Sequence, residues 1–159
     1  MGNPKEKSLA KGFYHVRIVN SDGSIAGDSG YCGPNQITNL GYQNYLCALL
    51  GNTTGSVQVK YMALGTGTAP AVAGVTLDGE VMSSTKRTAV TVAVSSNSKA
   101  VRFTDTFPSG FLSTTSTLQN IGLYNTTTTS DTLFAGNTYA TSTCASNQAC
   151  NCTYDISFS

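Results

Sequence analysis

The amino-acid sequence predicts an all-β protein, either an antiparallel two-layer sandwich or a jelly-roll-like arrangement, with one short helix. Three observations lead to this class. Short runs of alternating apolar and polar residues have the period of half-buried strands. The chain has 16 Gly and no Trp, and its abundant Ser, Thr and Asn favour strands and turns over helices. Several strand patterns also follow one another with turn signals between them, as in sandwiches and jelly rolls.

The chain opens with a predicted hairpin. Residues 13–19 alternate as a half-buried strand. Its buried face is expected to carry Tyr14, Val16 and Ile18, and its outward face Phe13, His15 and Arg17. Residues 20–23 read as a turn that ends on Gly, and residues 24–30 return as a second strand.

One helix is predicted between residues 38 and 50. Thr38 or Asn39 can cap its N-terminus, and Gly51 supplies a C-terminal stop. Apolar residues recur at helical spacing, namely Tyr42, Tyr45, Leu46, Leu49 and Leu50. This stripe should pack against a sheet.

Strand patterns dominate the rest of the chain. Six are predicted, over residues 57–64, 87–94, 100–107, 118–124, 132–139 and 153–158. The 159 residues fit one β-rich domain, 1–159, with a short N-terminal arm of about residues 1–12. A domain of this size can bury a core without metals or disulfides.

The charge balance limits the classes of partner that the protein can bind. Charged residues are 11% of the chain and the formal net charge is +1, so neither a basic surface for nucleic acid nor an acidic tail is predicted. No apolar run approaches the roughly 20 residues that cross a bilayer, and no membrane partner is expected. The polar residues 1–7 lack the apolar core of a secretory signal, so synthesis in the cytoplasm is expected.

Catalytic patterns are weak. The single His15 lies on the outward face of a predicted strand, without a nucleophile motif beside it. Asp78 with Glu80, or Asp22 with Asp28, could form the carboxylate pair of a glycoside hydrolase, but turn and loop roles explain them as well. The sequence therefore predicts no enzyme.

One tract carries a family resemblance. Residues 60–81 read KYMALGTGTAPAVAGVTLDGEV, and NIGLYN at 120–125 and TLFA at 132–135 follow. Together these motifs resemble small bacteriophage virion structural proteins, whose middle has a GTGT-A-P loop, an L-D/G-x-E-V stretch, an Arg, an IGLFN-like strand and a TLFA-like strand. The resemblance covers roughly residues 35–159. The chain departs from this pattern in an insertion over residues 142–152, before the predicted last strand.

The resemblance implies a protein that assembles on a phage particle, as a capsid decoration or cement protein or as a small tail or fibre component. Its expected partners are other virion proteins, such as the major capsid or tail proteins, and further copies of itself. Residues 66–79 form a long apolar segment between strand patterns, and long apolar loops usually meet a partner. We therefore expect the interface to include Thr66, Thr68, Pro70, Val72, Val75 and Leu77.

An alternative from another class is a carbohydrate-binding adhesin module at the particle tip. Aromatic residues would stack on sugars in that case, with Tyr14, Phe111, Tyr124 and Tyr139 as candidates. Aromatics on patterned strands are more often core residues, however. The sequence therefore favours assembly.

No metal or cofactor is expected. Residues 65–68 contain two glycines but lack the Gly-Lys-Ser/Thr of a phosphate-binding loop. The five cysteines are Cys32, Cys47, Cys144, Cys150 and Cys152. The last three have the spacing C-x5-C-x-C, which is not a zinc pattern. Free thiols, several of them buried, are expected in the cytoplasm, and a disulfide of Cys144 with Cys150 or Cys152 after particle release is preferred to a metal.

Overall fold

The computed structural model is a sandwich of two antiparallel five-stranded sheets, which confirms the predicted fold class. It describes residues 10–47, 49, 51, 57–81, 87–94, 99–127 and 133–158. The strands are β1 (Ala10–Val19), β2 (Ile25–Asp28), β3 (Gln36–Ile37), β4 (Tyr61–Gly65), β5 (Thr88–Ala89), β6 (Thr91–Val94), β7 (Ala100–Phe107), β8 (Ser116–Tyr124), β9 (Ala135–Cys144) and β10 (Ala149–Phe158). Sheet A has the order β2-β1-β10-β7-β6, and sheet B has the order β3-β9-β8-β4-β5.

The core lies between the two sheets and follows the strand period. The alternation of β1 is confirmed, because Tyr14, Val16 and Ile18 are all at most 2% exposed. Further core residues of sheet A are Phe103, Phe107, Tyr154 and Ile156, and those of sheet B are Met62, Leu64, Leu118, Ile121 and Leu123. Burying one apolar face of each sheet against the other is what stabilises a sandwich.

The predicted helix is present but shorter, at Gly41–Cys47, and it is wound as a π-helix. Thr38 caps it, since its Oγ1 accepts a hydrogen bond of 3.0 Å from the backbone N–H of Gly41. The ring of Tyr45 is buried and lies 4.9 Å from the ring of Phe134.

The predicted apolar stripe of this helix is only partly correct. Tyr45 faces the core, but Tyr42 is 41% and Leu49 is 64% exposed. A π-helix closes its hydrogen bonds over five residues instead of four, so residues at α-helical spacing no longer share one face. Leu50 lies outside the described residues.

Residues 88–94 were expected to form part of one strand, but they divide between the two sheets. Thr88–Ala89 pairs with β4 in sheet B, and Thr91–Val94 pairs with β7 in sheet A. The crossing is at Val90, whose N–H donates to the carbonyl of Lys60 at 3.0 Å. This segment therefore lies at one edge of both sheets.

Two expected boundaries change. Residues 10–12 belong to β1 rather than to an N-terminal arm, because Ala10 already pairs with Phe158; residues 1–9 lie outside the described part. Residues 142–152, which were expected to precede the last strand at 153–158, instead include parts of two strands. They form a hairpin, because β9 runs to Cys144 and β10 begins at Ala149.

Candidate interface on the loop of residues 66–79

The loop of residues 66–79, which follows β4, is closed at its two ends by backbone hydrogen bonds. The N–H of Thr66 donates to the carbonyl of Gly79 at 3.0 Å, and the N–H of Gly67 donates to the carbonyl of Asp78 at 3.1 Å. Gly79 has a φ of 60°, and a Cβ on Gly67 would lie 2.4 Å from the carboxyl carbon of Asp78. The two glycines therefore permit the close approach of the two chain segments.

Side chains reinforce this closure. The carboxylate of Asp78 accepts hydrogen bonds from the N–H and hydroxyl of Thr68, at 2.9 and 3.0 Å. These bonds lower the pKa of Asp78 below its ordinary value, because they favour the charged form. Asn120 of β8 is fully buried and donates its amide to the carbonyls of Thr68 and Asp78, at 3.1 and 2.8 Å.

The middle of the loop is also held by its backbone. The carbonyl of Val72 accepts a hydrogen bond of 2.8 Å from the N–H of Asn39, and the carbonyl of Val75 accepts one of 3.1 Å from the N–H of Leu133. The side chains of Val72 and Val75 nevertheless remain 48% and 38% exposed. The loop thus presents two large apolar side chains to solvent on a fixed backbone.

Two residues of the loop turn inward and anchor it. Leu77 is 3% exposed, and its N–H donates to the hydroxyl of Tyr124 at 2.7 Å. Pro70 is buried and lies against Gly136 of β9, where a Cβ would come within 3.1 Å of the proline ring. These contacts fasten the loop to sheet B.

A buried ion pair lies beneath the end of the loop. Arg87 and Glu80 form two hydrogen bonds, of 2.8 and 3.0 Å, and their side chains are 0% and 7% exposed. The guanidinium carbon of Arg87 lies 3.3 Å from the centroid of the Tyr124 ring, and Arg87 also donates to the carbonyl of Thr126 at 3.2 Å. Burial raises the pKa of Tyr124, so its hydroxyl keeps its proton and donates to Glu80 at 3.2 Å.

The structure divides the six predicted interface residues into two groups. Thr66, Thr68, Val72 and Val75 are exposed, whereas Pro70 and Leu77 are buried. Only the four exposed residues can contact a partner directly, and the two buried residues anchor the loop to sheet B. The interface itself stays a prediction.

The carboxylates that were considered for catalysis have separate structural partners. Asp78 binds Thr68 and Glu80 binds Arg87, as described above. Asp22 accepts hydrogen bonds from Ser24 in the first hairpin turn.

His15 and Asp28 meet on the outer face of sheet A. The Nε2 atom of His15 lies 2.5 Å from Asp28, and Arg17 lies 3.0 Å from the same carboxylate. The N–H of Gly30, followed by His15 and Arg17, lowers the pKa of Asp28 to about 2. This cluster fixes β2 to β1.

Three cysteines gather in the core at the β9–β10 hairpin. Cys144, Cys150 and Cys152 are free and buried, and the sulfurs of Cys144 and Cys150 lie 3.6 Å apart. A disulfide between these two would require their sulfurs to approach to about 2.05 Å, so that pairing stays a prediction. Among the described residues, no group of three or more His, Cys, Asp or Glu side chains could hold a metal ion.

The aromatic residues proposed for sugar stacking are all in the core. The exposed fractions are 2% for Tyr14, 6% for Phe111, 0% for Tyr124 and 7% for Tyr139. Stacking on a sugar requires an accessible ring face, so none of the four can serve that role.

Sequence reasoning missed two features of this region. The buried pair of Glu80 and Arg87 was visible only as separate motif residues, because nothing local in the sequence joins them. Val92 and Val94 were correctly placed on a strand, but their exposure at the edge of sheet A was not predicted. The uncharged run of residues 88–94 was the available signal for an unprotected strand.

The chain matches no family model, no curated protein and no solved structure. In the described part of the chain, the one helical segment is far too short to span a bilayer.

Proposed function

We propose that this chain is a non-catalytic structural protein of a bacteriophage particle, which joins other virion proteins and copies of itself through apolar loop and sheet-edge surfaces. It would act as a capsid decoration or cement protein, or as a small tail or fibre component. The observation that carries this proposal is the 66–79 loop, which holds exposed Val72 and Val75 on a fixed backbone.

A fixed apolar surface favours binding for a physical reason. A loop that is already ordered loses little conformational entropy when a partner covers it, so more of the burial free energy appears as affinity. The hydrogen bonds at Val72 and Val75 supply that order. The motifs that resemble phage virion proteins also coincide with this region. The GTGT-A-P and L-D-G-E-V residues overlap the two ends of the loop, where Tyr124 contacts Leu77 and Arg87 contacts Glu80.

The first experiment is quantitative mass spectrometry of particles purified from the phage that encodes the chain, scaled to the major shell protein. A copy number near that of the shell protein would support a decoration or cement role. A ratio of a few per cent would support a tail, vertex or fibre position. Absence from the particle would overturn the proposal.

A double variant tests whether the loop is the docking surface. Replacing Val72 and Val75 by Asp should leave the free energy of unfolding within about 0.5 kcal/mol, because both side chains are exposed. Incorporation into particles should be lost, since a partner would bury two unpaired charges.

The matched control is Ile25→Asp, which places the same charge on a 57% exposed aliphatic position of β2. It should be incorporated normally. Normal incorporation of the double variant would overturn the loop as the interface.

A further inference from the structure

Strand β6 is an open edge of sheet A. One side of Thr91–Val94 pairs with β7, in a register that places Val92 opposite Phe103 and Val94 opposite Val101. No described residue pairs with its other side. An edge of this kind presents unpaired backbone N–H and C=O groups, which can accept a further strand.

This edge lacks the features that usually prevent pairing. Its sequence, Thr-Val-Ala-Val, has no charge and no proline, and its register with β7 has no bulge. The opposite edge of the same sheet, β2, carries Asp28 in an ion-paired cluster, and its register with β1 shifts between Ile18 and Val19. The β2 edge is therefore protected against pairing with a further strand, and the β6 edge is not.

The side chains of β6 extend the unpaired edge into an apolar surface. Val92 and Val94 are 49% and 66% exposed, and both line a groove of about 720 Å³. The exposed side chains of Leu49 and Phe158 lie in the same groove. Among the described residues that line it, Lys60 is the only charged one.

We propose that β6 pairs antiparallel with β6 of a second copy of this chain around a two-fold axis, so that two five-stranded sheets become one ten-stranded sheet. The inference rests on the proposed role in assembly and specifies the self-contact. An antiparallel two-fold contact brings the same strand against itself. Two uncharged strands meet without repulsion, and Val92 and Val94 of both copies then cover each other's grooves.

The size of the contact sets its strength. A four-residue strand is only about 14 Å long, so the pair buries less than the roughly 800 Å² per partner of a standard stable complex. Self-association is therefore weak in dilute solution and grows with protein concentration. On a particle, neighbouring sites hold the copies together and raise the effective concentration.

The experiment compares Ala93→Glu with the unchanged chain by sedimentation velocity over a concentration series from micromolar to millimolar. Ala93 lies opposite Arg102 within its own sheet, so the new carboxylate suits the monomer and repels its symmetry mate across the axis. The unchanged chain should form dimers as concentration rises, and the variant should dimerise at least tenfold less tightly. The control is Ala26→Glu, which adds the same charge to exposed β2 and should dimerise normally.

Amide hydrogen exchange supplies a second readout that does not depend on the variant. Protection of the amides of β6 should increase with concentration in the unchanged chain. A chain that stays monomeric at millimolar concentration, or dimers that Ala93→Glu leaves intact, would overturn the pairing.

The two proposals fail separately. A chain that is present in particles but monomeric alone would overturn only the self-pairing, and protection of its β6 amides within particles would then assign the edge to a different virion protein. A chain that dimerises through β6 but is absent from particles would overturn the proposed function instead.

Discussion

The 66–79 loop and strand β6 both expose two valines, yet they offer a partner different contacts. In the loop, the carbonyls of Val72 and Val75 already accept internal hydrogen bonds, so mainly side chains remain for a partner. In β6, one whole side of the backbone has no strand partner among the described residues. The loop is therefore suited to a preformed complementary surface, whereas β6 is suited to another strand.

The difference also concerns stability. The loop depends on a buried network beneath it, in which Arg87, Glu80 and Tyr124 contact one another. Strand β6 depends on one neighbouring strand and has all four residues exposed. Substitutions below the loop should therefore cost much stability, and substitutions on β6 should cost little.

The largest effect is expected for Arg87→Met. Its loss leaves the carboxylate of Glu80 buried and without its cation, and breaking a buried pair in this way costs about 3–5 kcal/mol. The measurement is the free energy of unfolding from urea denaturation. The matched control is Arg102→Met, which removes an equally bidentate pair with Asp155 from the outer face of sheet A, where Arg102 is 52% exposed.

That control should cost only about 0–1 kcal/mol, because water screens an exposed pair. Equal losses in the free energy of unfolding for the two variants would contradict this prediction. They would show that the buried pair of Arg87 and Glu80 stabilises the fold no more than an exposed pair does.

A smaller but still clear effect is expected for Leu77→Ala, which removes a 3% exposed side chain from beneath the loop. Truncating a buried leucine costs about 2–5 kcal/mol through lost burial and a cavity. The counterpart on β6 is Val94→Ala, which should change stability by no more than about 0.5 kcal/mol because Val94 is 66% exposed. Thermal unfolding of both variants checks the comparison, and a similar loss at Val94 would show that β6 is not a free edge.

The smallest effect is a local pH dependence. The hydrogen bonds from Thr68 hold the pKa of Asp78 below its ordinary value of 3.8 in the folded chain. The carboxylate therefore stabilises the loop fully above that ordinary value, and the contribution is lost as pH falls through the lower folded pKa. The protection factor of the Thr68 amide, its exchange rate relative to an unstructured chain at the same pH, should therefore fall in acid.

The variant Asp78→Asn tests the cause of that loss of protection. Its Thr68 amide should exchange faster at neutral pH and lose the acid-induced change. The amides of β6, which has no titratable side chain, should not follow the same profile. An unchanged protection factor at Thr68 in the variant would contradict this prediction, because it would show that the charge of Asp78 is not what protects the amide.

Local patterns predicted the strands well where one face is buried. Residues 100–107 were predicted as a strand and form β7, and the predicted faces of the first strand are those of β1. Strand β3 was missed, because its two residues are paired only through Ala135 and Gly136, about a hundred positions away in the sequence. The π-helix was predicted as an ordinary helix, since apolar spacing does not record the winding.

The candidate loop was located correctly from its apolar composition, but its inward and outward residues were not distinguished. A strand or helix has a period from which side-chain direction follows, and an irregular loop has none. The outward direction of Val72 and the inward direction of Leu77 depend on hydrogen bonds to Asn39 and Tyr124, which are distant in sequence.

The sequence alone therefore determined the fold class, most strand positions, the presence of one helix and the segment that became the exposed loop. These are properties of composition and of short-range period, which neighbouring residues set directly. Only the tertiary structure decided that Arg87 pairs with Glu80 in the interior and that β6 is an unprotected edge while β2 is a charged one. Sheet order and burial depend on contacts between distant segments, and a strand carries the same local pattern whether it lies at the centre of a sheet or at its edge.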